Sequence, residues 1–223
     1  MTVTNRIRLL MASLRVTPFG IGPDRLVSIA AIVACISWLG IAGGAATAGP
    51  LHDAAREGDA DRVAQILAQG IDVNSRDDSR GTALIEAALA GQTGVAAALI
   101  KANADIEVRD DRGFTALHAA AYSGSVEIAK LLLDHGAKVD ALSIHKITPL
   151  HVAAEENQTA VAELLIARGA QVEAIQQYGF TPLSRATFMV STQMMVLLKK
   201  HGAKCQPKET IGSAYAACLA AGN

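Results

Sequence analysis

Five leucines stand 33 residues apart: Leu51, Leu84, Leu117, Leu150 and Leu183. Three places after each comes an alanine: Ala54, Ala87, Ala120, Ala153 and Ala186. Further on, Gly70, Asn103, Gly136, Gly169 and Gly202 keep the same period, and all are residues that tolerate a left-handed turn. A fixed period without insertion over five copies restricts the chain to a repeat array. Each unit of such an array buries its apolar faces only against its neighbours.

The clearest unit is GFTALHAAAYSGSVEIAKLLLDHGAKVD, Gly113 to Asp140. Thr115 is placed to N-cap a first helix, its hydroxyl taking a free backbone N–H. Ala116, Ala119, Ala120 and Ala121 give that helix a thin face that a neighbour can approach closely. Gly124 breaks it, and Ser125 is placed to cap a second helix. Val126, Ile128, Ala129, Leu131, Leu132 and Leu133 recur there at helical spacing. Gly136 stands just past its end. Half of all residues are hydrophobic (51%) but only 4% are aromatic, so Ala, Leu, Ile and Val must build the core.

These residues resemble an ankyrin-repeat protein, of the small exported bacterial kind. The likeness is carried by Thr148-Pro149-Leu150-His151, by Thr115-Ala116-Leu117-His118, and by the Gly-Ala pairs at 136–137, 169–170 and 202–203. It covers residues 49 to about 205. It implies an all-α solenoid of stacked helix-turn-helix units with short hairpin loops. Five repeats are expected at about 49–80, 81–112, 113–146, 147–178 and 179–205, with a capping segment at 206–223. The first copy is rich in charge, as an end repeat with one wet face should be. Repeat two has Ile85 in place of the motif histidine, and repeat five has Ser184. Asn157 and Val190 replace the glycines that separate the helices at Gly58, Gly91 and Gly124. Pro207 is expected to break the chain before one small-residue helix, Ser213 to Ala221.

Residues 1–48 differ in kind. Arg6, Arg8, Arg15 and Arg25 face a single acid, Asp24, and Leu26 to Ile41 is apolar and uncharged. Ala46-Thr47-Ala48 then gives a small-residue cleavage pattern, so the segment reads as a signal peptide cut before Gly49. Two other readings are open to the same residues. Residues 26–48 are long enough for a membrane anchor. Ile32-Val33-Ala34-Cys35 resembles a lipoprotein box, though no polar tether follows the cysteine. All three place the repeats outside the cytoplasm, in the periplasm, secreted, or held at the inner membrane. Without four arginines and Asp24, 16 basic and 20 acidic side chains remain, a net charge of -4. That balance lacks the basic face of a nucleic-acid binder.

The chemistry-bearing residues read as structural. His52, His118 and His151 fall on the motif, where the resemblance implies hydrogen bonds to backbone between repeats. His135 and His201 are two repeats apart, and His145 stands alone on a tip, so no ligand cluster for a metal is expected. No phosphate loop or nucleophile elbow occurs, and neither a cofactor nor catalysis is expected. Cys205 and Cys218 lie 13 apart and are expected to pair, tying the cap to repeat five, since two thiols outside the cytoplasm tend to join. They lack the C-x-x-C spacing of a redox-active pair. Asp77-Asp78 and Asp110-Asp111 fall on successive tips; they form either an acidic ridge or a set of turn residues.

What remains is binding. The expected activity is non-enzymatic capture of another protein by a monomer, on the concave face of hairpins and first helices. The resemblance places contacts at Asp78, Ser79, Arg112, Phe114, Tyr122, Ser123, Ile144, His145, Ile147, Glu155, Glu156, Tyr178, Phe180, Phe188 and Met189. Tyr122, Tyr178 and Phe188 are the expected anchors, because aromatic side chains dominate binding hot spots. Two other roles fit the same fold: an accessory factor in periplasmic oxidative-stress protection, and an inhibitor or immunity protein.

Overall fold

The structure, a computed structural model, describes residues 49–221; the leader and its cleavage site lie outside the described residues. Ten helices form five pairs. They are α1 Pro50–Glu57 with α2 Ala60–Ala68, α3 Ala83–Leu89 with α4 Thr93–Lys101, and α5 Ala116–Ser123 with α6 Val126–Asp134. Then come α7 Pro149–Glu155 with α8 Thr159–Ala167, and α9 Pro182–Phe188 with α10 Thr192–Lys200. Two short helices follow, α11 Lys208–Ile211 and α12 Ala214–Ala220. Among the described residues no strand forms, and no helix is long and apolar enough to cross a membrane.

The periodic residues explain the stacking. The leucines at 51, 84, 117, 150 and 183 are buried to 1% exposure or less, and the alanines three places on are fully buried. The small alanines let α1, α3, α5, α7 and α9 pack side by side in succession, with α2, α4, α6, α8 and α10 as a second layer. Left-handed backbone ends the second helices at Gly70, Asn103, Gly136, Gly169 and Gly202. The same geometry turns the chain between paired helices at Gly58, Gly91, Gly124, Asn157 and Val190. Asparagine tolerates it; valine, being β-branched, does so only under strain.

The motif histidines stitch one repeat to the next. His118 Nε2 donates to the Ile147 carbonyl at 3.0 Å, and His151 Nε2 donates to that of Phe180 at 3.1 Å. Their Nδ1 atoms therefore carry no proton, and each accepts from the N–H of its own helix-capping threonine, at 3.2 and 3.3 Å. The Thr115 hydroxyl lies 3.0 Å from His118 Nδ1, and the two residues close a capping box at the head of α5. Ser125 heads α6 without capping it, its hydroxyl meeting that of Ser123 at 2.9 Å. Both rings are buried, and burial pushes each histidine down to about 4.

The first two repeats each hold half of this unit. Repeat one has His52 without a threonine, and its buried Nδ1 has no partner. Repeat two has Thr82 without a histidine, and its hydroxyl is equally unpaired. A Cβ added at Gly49 would stand 3.7 Å from His52 Nδ1, and Gly49 already has the extended backbone of the other caps. Gly49→Thr should therefore raise stability by about 1 kcal/mol, the usual net worth of one hydrogen bond, here from the new hydroxyl to the orphaned Nδ1. Urea titration of the two proteins checks this; an unchanged or lower midpoint would show that the orphaned nitrogen is not the defect.

In repeat five a different group replaces the imidazole. The Ser184 hydroxyl donates to the Gln206 side-chain carbonyl, and the Gln206 amide donates to the Gly179 carbonyl at 2.7 Å. The tail thus completes the last motif. α12 packs against α9, and Ile211, Cys218 and Ala221 are buried there. Cys205 and Cys218 lie at disulfide distance, with Cα atoms 5.9 Å apart. The sequence leads to one helix in the tail, whereas the structure has two, with Pro207 heading α11 rather than only breaking the chain.

Candidate interaction surface

The hairpin tips are joined by backbone. Asp111 N–H donates to Ser79 O at 2.8 Å, Ile144 N–H to Arg112 O at 3.0 Å, and Gln177 N–H to His145 O at 2.9 Å. Each tip is fixed to the next, so the side chains of one row are held at repeat spacing. Below them, side chains cap the following repeat: Asn74 accepts from Asp105 N–H, Glu107 from Lys138 N–H, Asp140 from Gln171 N–H and Glu173 from Lys204 N–H. A partner would therefore meet a preset surface, which lowers the ordering cost of binding.

The aspartates of the tips are turn residues. Asp110 is buried, and its Oδ1 accepts from Arg112 N–H and Phe114 N–H at 2.9 and 2.7 Å. Asp77 accepts from Gly81 N–H at 2.8 Å. Only Asp78 and Asp111 point outward, so the continuous acidic ridge does not form.

Several expected contact residues are already engaged. Arg112 pairs with Asp110 at 3.0 Å, and its guanidinium lies 4.9 Å from the Phe114 ring centroid. Phe114 stacks in turn on His118, with centroids 4.9 Å apart. The Ser123 hydroxyl donates to Ala88 O in the preceding repeat at 2.8 Å. The Ile147 carbonyl receives His118. Glu155 pairs with Arg185 at 3.3 Å. Phe180 is half-buried and meets Phe188 edge to face, with centroids 5.1 Å apart.

The rest is open. Tyr178 is 64% exposed, Ile144 61%, Met189 54%, Phe188 38% and Tyr122 37%. His145 lies 2.8 Å from the Gln177 side-chain carbonyl, with its ring tilted against Tyr178. Ser79 and Glu156 are exposed. Glu156 is held above the usual carboxylate range, first by partial burial and then by the neighbouring charge of Glu155.

The sequence reading missed one row. Arg76 donates to Arg109 O at 3.3 Å, and Arg109 donates to Leu142 O. At the same repeat position the next two copies carry Leu142 and Ile175, both exposed, which line an open groove with Asp140 and Gln171. The 33-residue comparison holds the signal, an arginine pair followed by an apolar pair. Among the described residues, no three His, Cys, Asp or Glu side chains gather as a metal site requires.

The family described as ankyrin repeats (3 copies) matches residues 51–143 and 140–209. No curated protein matches the chain.

Proposed function

The chain belongs to the ankyrin-repeat family, whose repeats generally mediate protein–protein interaction, and we propose that it is a non-enzymatic module exported to the periplasm or envelope. It binds a partner protein on the row of hairpin tips and first helices, the side that is concave in the family. The observation that supports this most is the set of exposed aromatic and apolar side chains at those positions. Tyr122, Ile144, Tyr178, Phe188 and Met189 are all exposed, while the core is filled by alanines and aliphatic side chains. Large exposed apolar groups on a rigid frame are what binding sites present. The nearness of Cys205 and Cys218 suits an oxidising compartment.

Tyr122 is the first residue to test. It stands at the end of α5 in the middle repeat, and its carbonyl is held by the Gln158 amide at 3.3 Å whatever its side chain is. Tyr122→Ala should leave the fold intact and weaken capture of the partner from an envelope extract by at least about 1 kcal/mol. Lys130→Ala, exposed on the second helix α6, should bind as the wild type does. The reverse pattern would place the partner on the other layer of helices.

A further inference from the structure

The row formed by the ends of the first helices changes character along the stack. Arg56 lies at the end of the first, Leu89 of the second, Tyr122 of the third, Glu155 of the fourth and Phe188 of the fifth. The parallel row one residue on runs Glu57, Ala90, Ser123, Glu156, Met189. Two adjacent carboxylates thus sit between an aromatic residue in repeat three and an apolar ridge in repeat five. The ridge is Phe188-Met189-Val190, all exposed.

Two local rules are broken here at once. Glu155 and Glu156 stand at the C-terminal end of α7, where the helix dipole favours cations and disfavours acids. Arg185 pairs with Glu155, but among the described residues no cation lies within ion-pair distance of Glu156. Its carboxyl is accordingly strained upward by burial and by Glu155. One repeat further, Val190 keeps φ at 56°, a left-handed backbone that a β-branched residue adopts only at a cost, and its side chain is 66% exposed. Gly58, Gly91 and Gly124 take the same turn without that cost. Strain retained at an exposed site points to use of the side chain rather than to packing.

We propose that the surface made by Tyr122, Glu155, Glu156, Phe188, Met189 and Val190 takes a protein segment presenting a lysine or arginine between apolar side chains. The cation meets Glu156 and comes within reach of the Tyr122 ring, while its apolar neighbours cover Phe188, Met189 and Val190. The argument for this occupant is charge complementarity: the surface has a carboxylate without a counter-charge, framed on both sides by apolar groups. It rests on the binding face proposed above and adds the chemistry of the partner.

The test is selection from a displayed library of random linear peptides on the purified protein, in parallel on Glu156→Lys. Wild-type binders should carry Lys or Arg beside apolar residues. They should lose at least about tenfold in affinity on Glu156→Lys, equivalent to about 1.4 kcal/mol. They should also weaken as salt is raised, because part of the attraction is screened. Selection on Glu156→Lys should return acidic peptides. Thermal unfolding of Glu156→Lys at the wild-type midpoint shows that the fold survives. Binders that are lost on Tyr122→Ala but are uncharged, or indifferent to salt and to Glu156→Lys, overturn the basic partner and leave the binding face standing. Binders untouched by both substitutions, or an empty selection, overturn both.

Discussion

Lowering the pH from 7 to 4 should remove several kcal/mol of stability, and two buried rings should account for most of it. His118 and His151 are neutral in the fold, with Nε2–H donated to the next repeat and Nδ1 accepting from threonine. A second proton would have to sit at Nδ1, facing the threonine N–H that now donates to it, in a site closed to water. Each ring is held down at about 4, chiefly by burial, against 6.5 for the free side chain. Between those values the unfolded chain binds protons that the folded chain refuses. Stability is therefore fully present above about pH 6.5, falls as pH drops, and stops falling below about 4. Each histidine contributes about 3 kcal/mol over that window, and the pair contributes about 6 kcal/mol. That is comparable to the whole stability of many domains, so acid unfolding above pH 4 is the expected outcome. Urea midpoints at pH 7, 5.5 and 4.5 check it, with His151→Gln expected to lose about half of the slope. Equal midpoints at pH 7 and 4.5 would mean that the rings titrate as if exposed.

That prediction shows where sequence and structure part. The motif marks His118 and His151 as structural, but which nitrogen donates, and to what, follows only from the stacked repeats. The fold itself was legible because one physical demand recurs every 33 residues: a buried leucine, an alanine thin enough for close approach, and a residue able to turn left-handed. Asn103 and Asn157 meet the last demand and were readable as such. Val190 stands in the register of Gly58, Gly91 and Gly124, but valine avoids a positive φ, so register and side chain pointed opposite ways.

The candidate surface was legible only in part. Ser123 and Phe114 lie where contacts were expected, yet Phe114 is sandwiched locally between Arg112 and His118, and the Ser123 hydroxyl is spent on Ala88, 35 residues away. Pairings across that separation leave no trace in local sequence. Gln206 is the same case: a tail residue takes the role of the histidine missing at Ser184. Leu142 and Ile175 carried a signal in the repeat comparison, because the two preceding copies have arginine there. The tail lacked any period to read, so α11 went unseen.

Leu117→Ala should cost far more than Asp111→Ala, although the two lie six residues apart. Leu117 is 1% exposed in α5, and α5 packs against both α3 and α7. Its neighbours are themselves held in rows by the same leucines and alanines, so they cannot collapse into the space left behind. The loss should therefore reach the upper part of the usual range for Leu→Ala, about 2–5 kcal/mol. Asp111 sits on a tip, exposed, and its only tie to the stack is its backbone N–H to Ser79 O. Alanine keeps that bond, so the change should stay within about 0.5 kcal/mol. Asp110, one place earlier, separates the two causes. Its buried carboxylate holds two backbone N–H groups and Arg112, and Asp110→Ala should cost about 1–3 kcal/mol by leaving those donors unmet. Urea midpoints should thus rank Asp111→Ala first, Asp110→Ala second and Leu117→Ala last. Because each repeat supports only its neighbours, the Leu117→Ala transition should also broaden as the array divides at its middle. Similar midpoints for Leu117→Ala and Asp111→Ala would mean that the central repeat does not carry the stack.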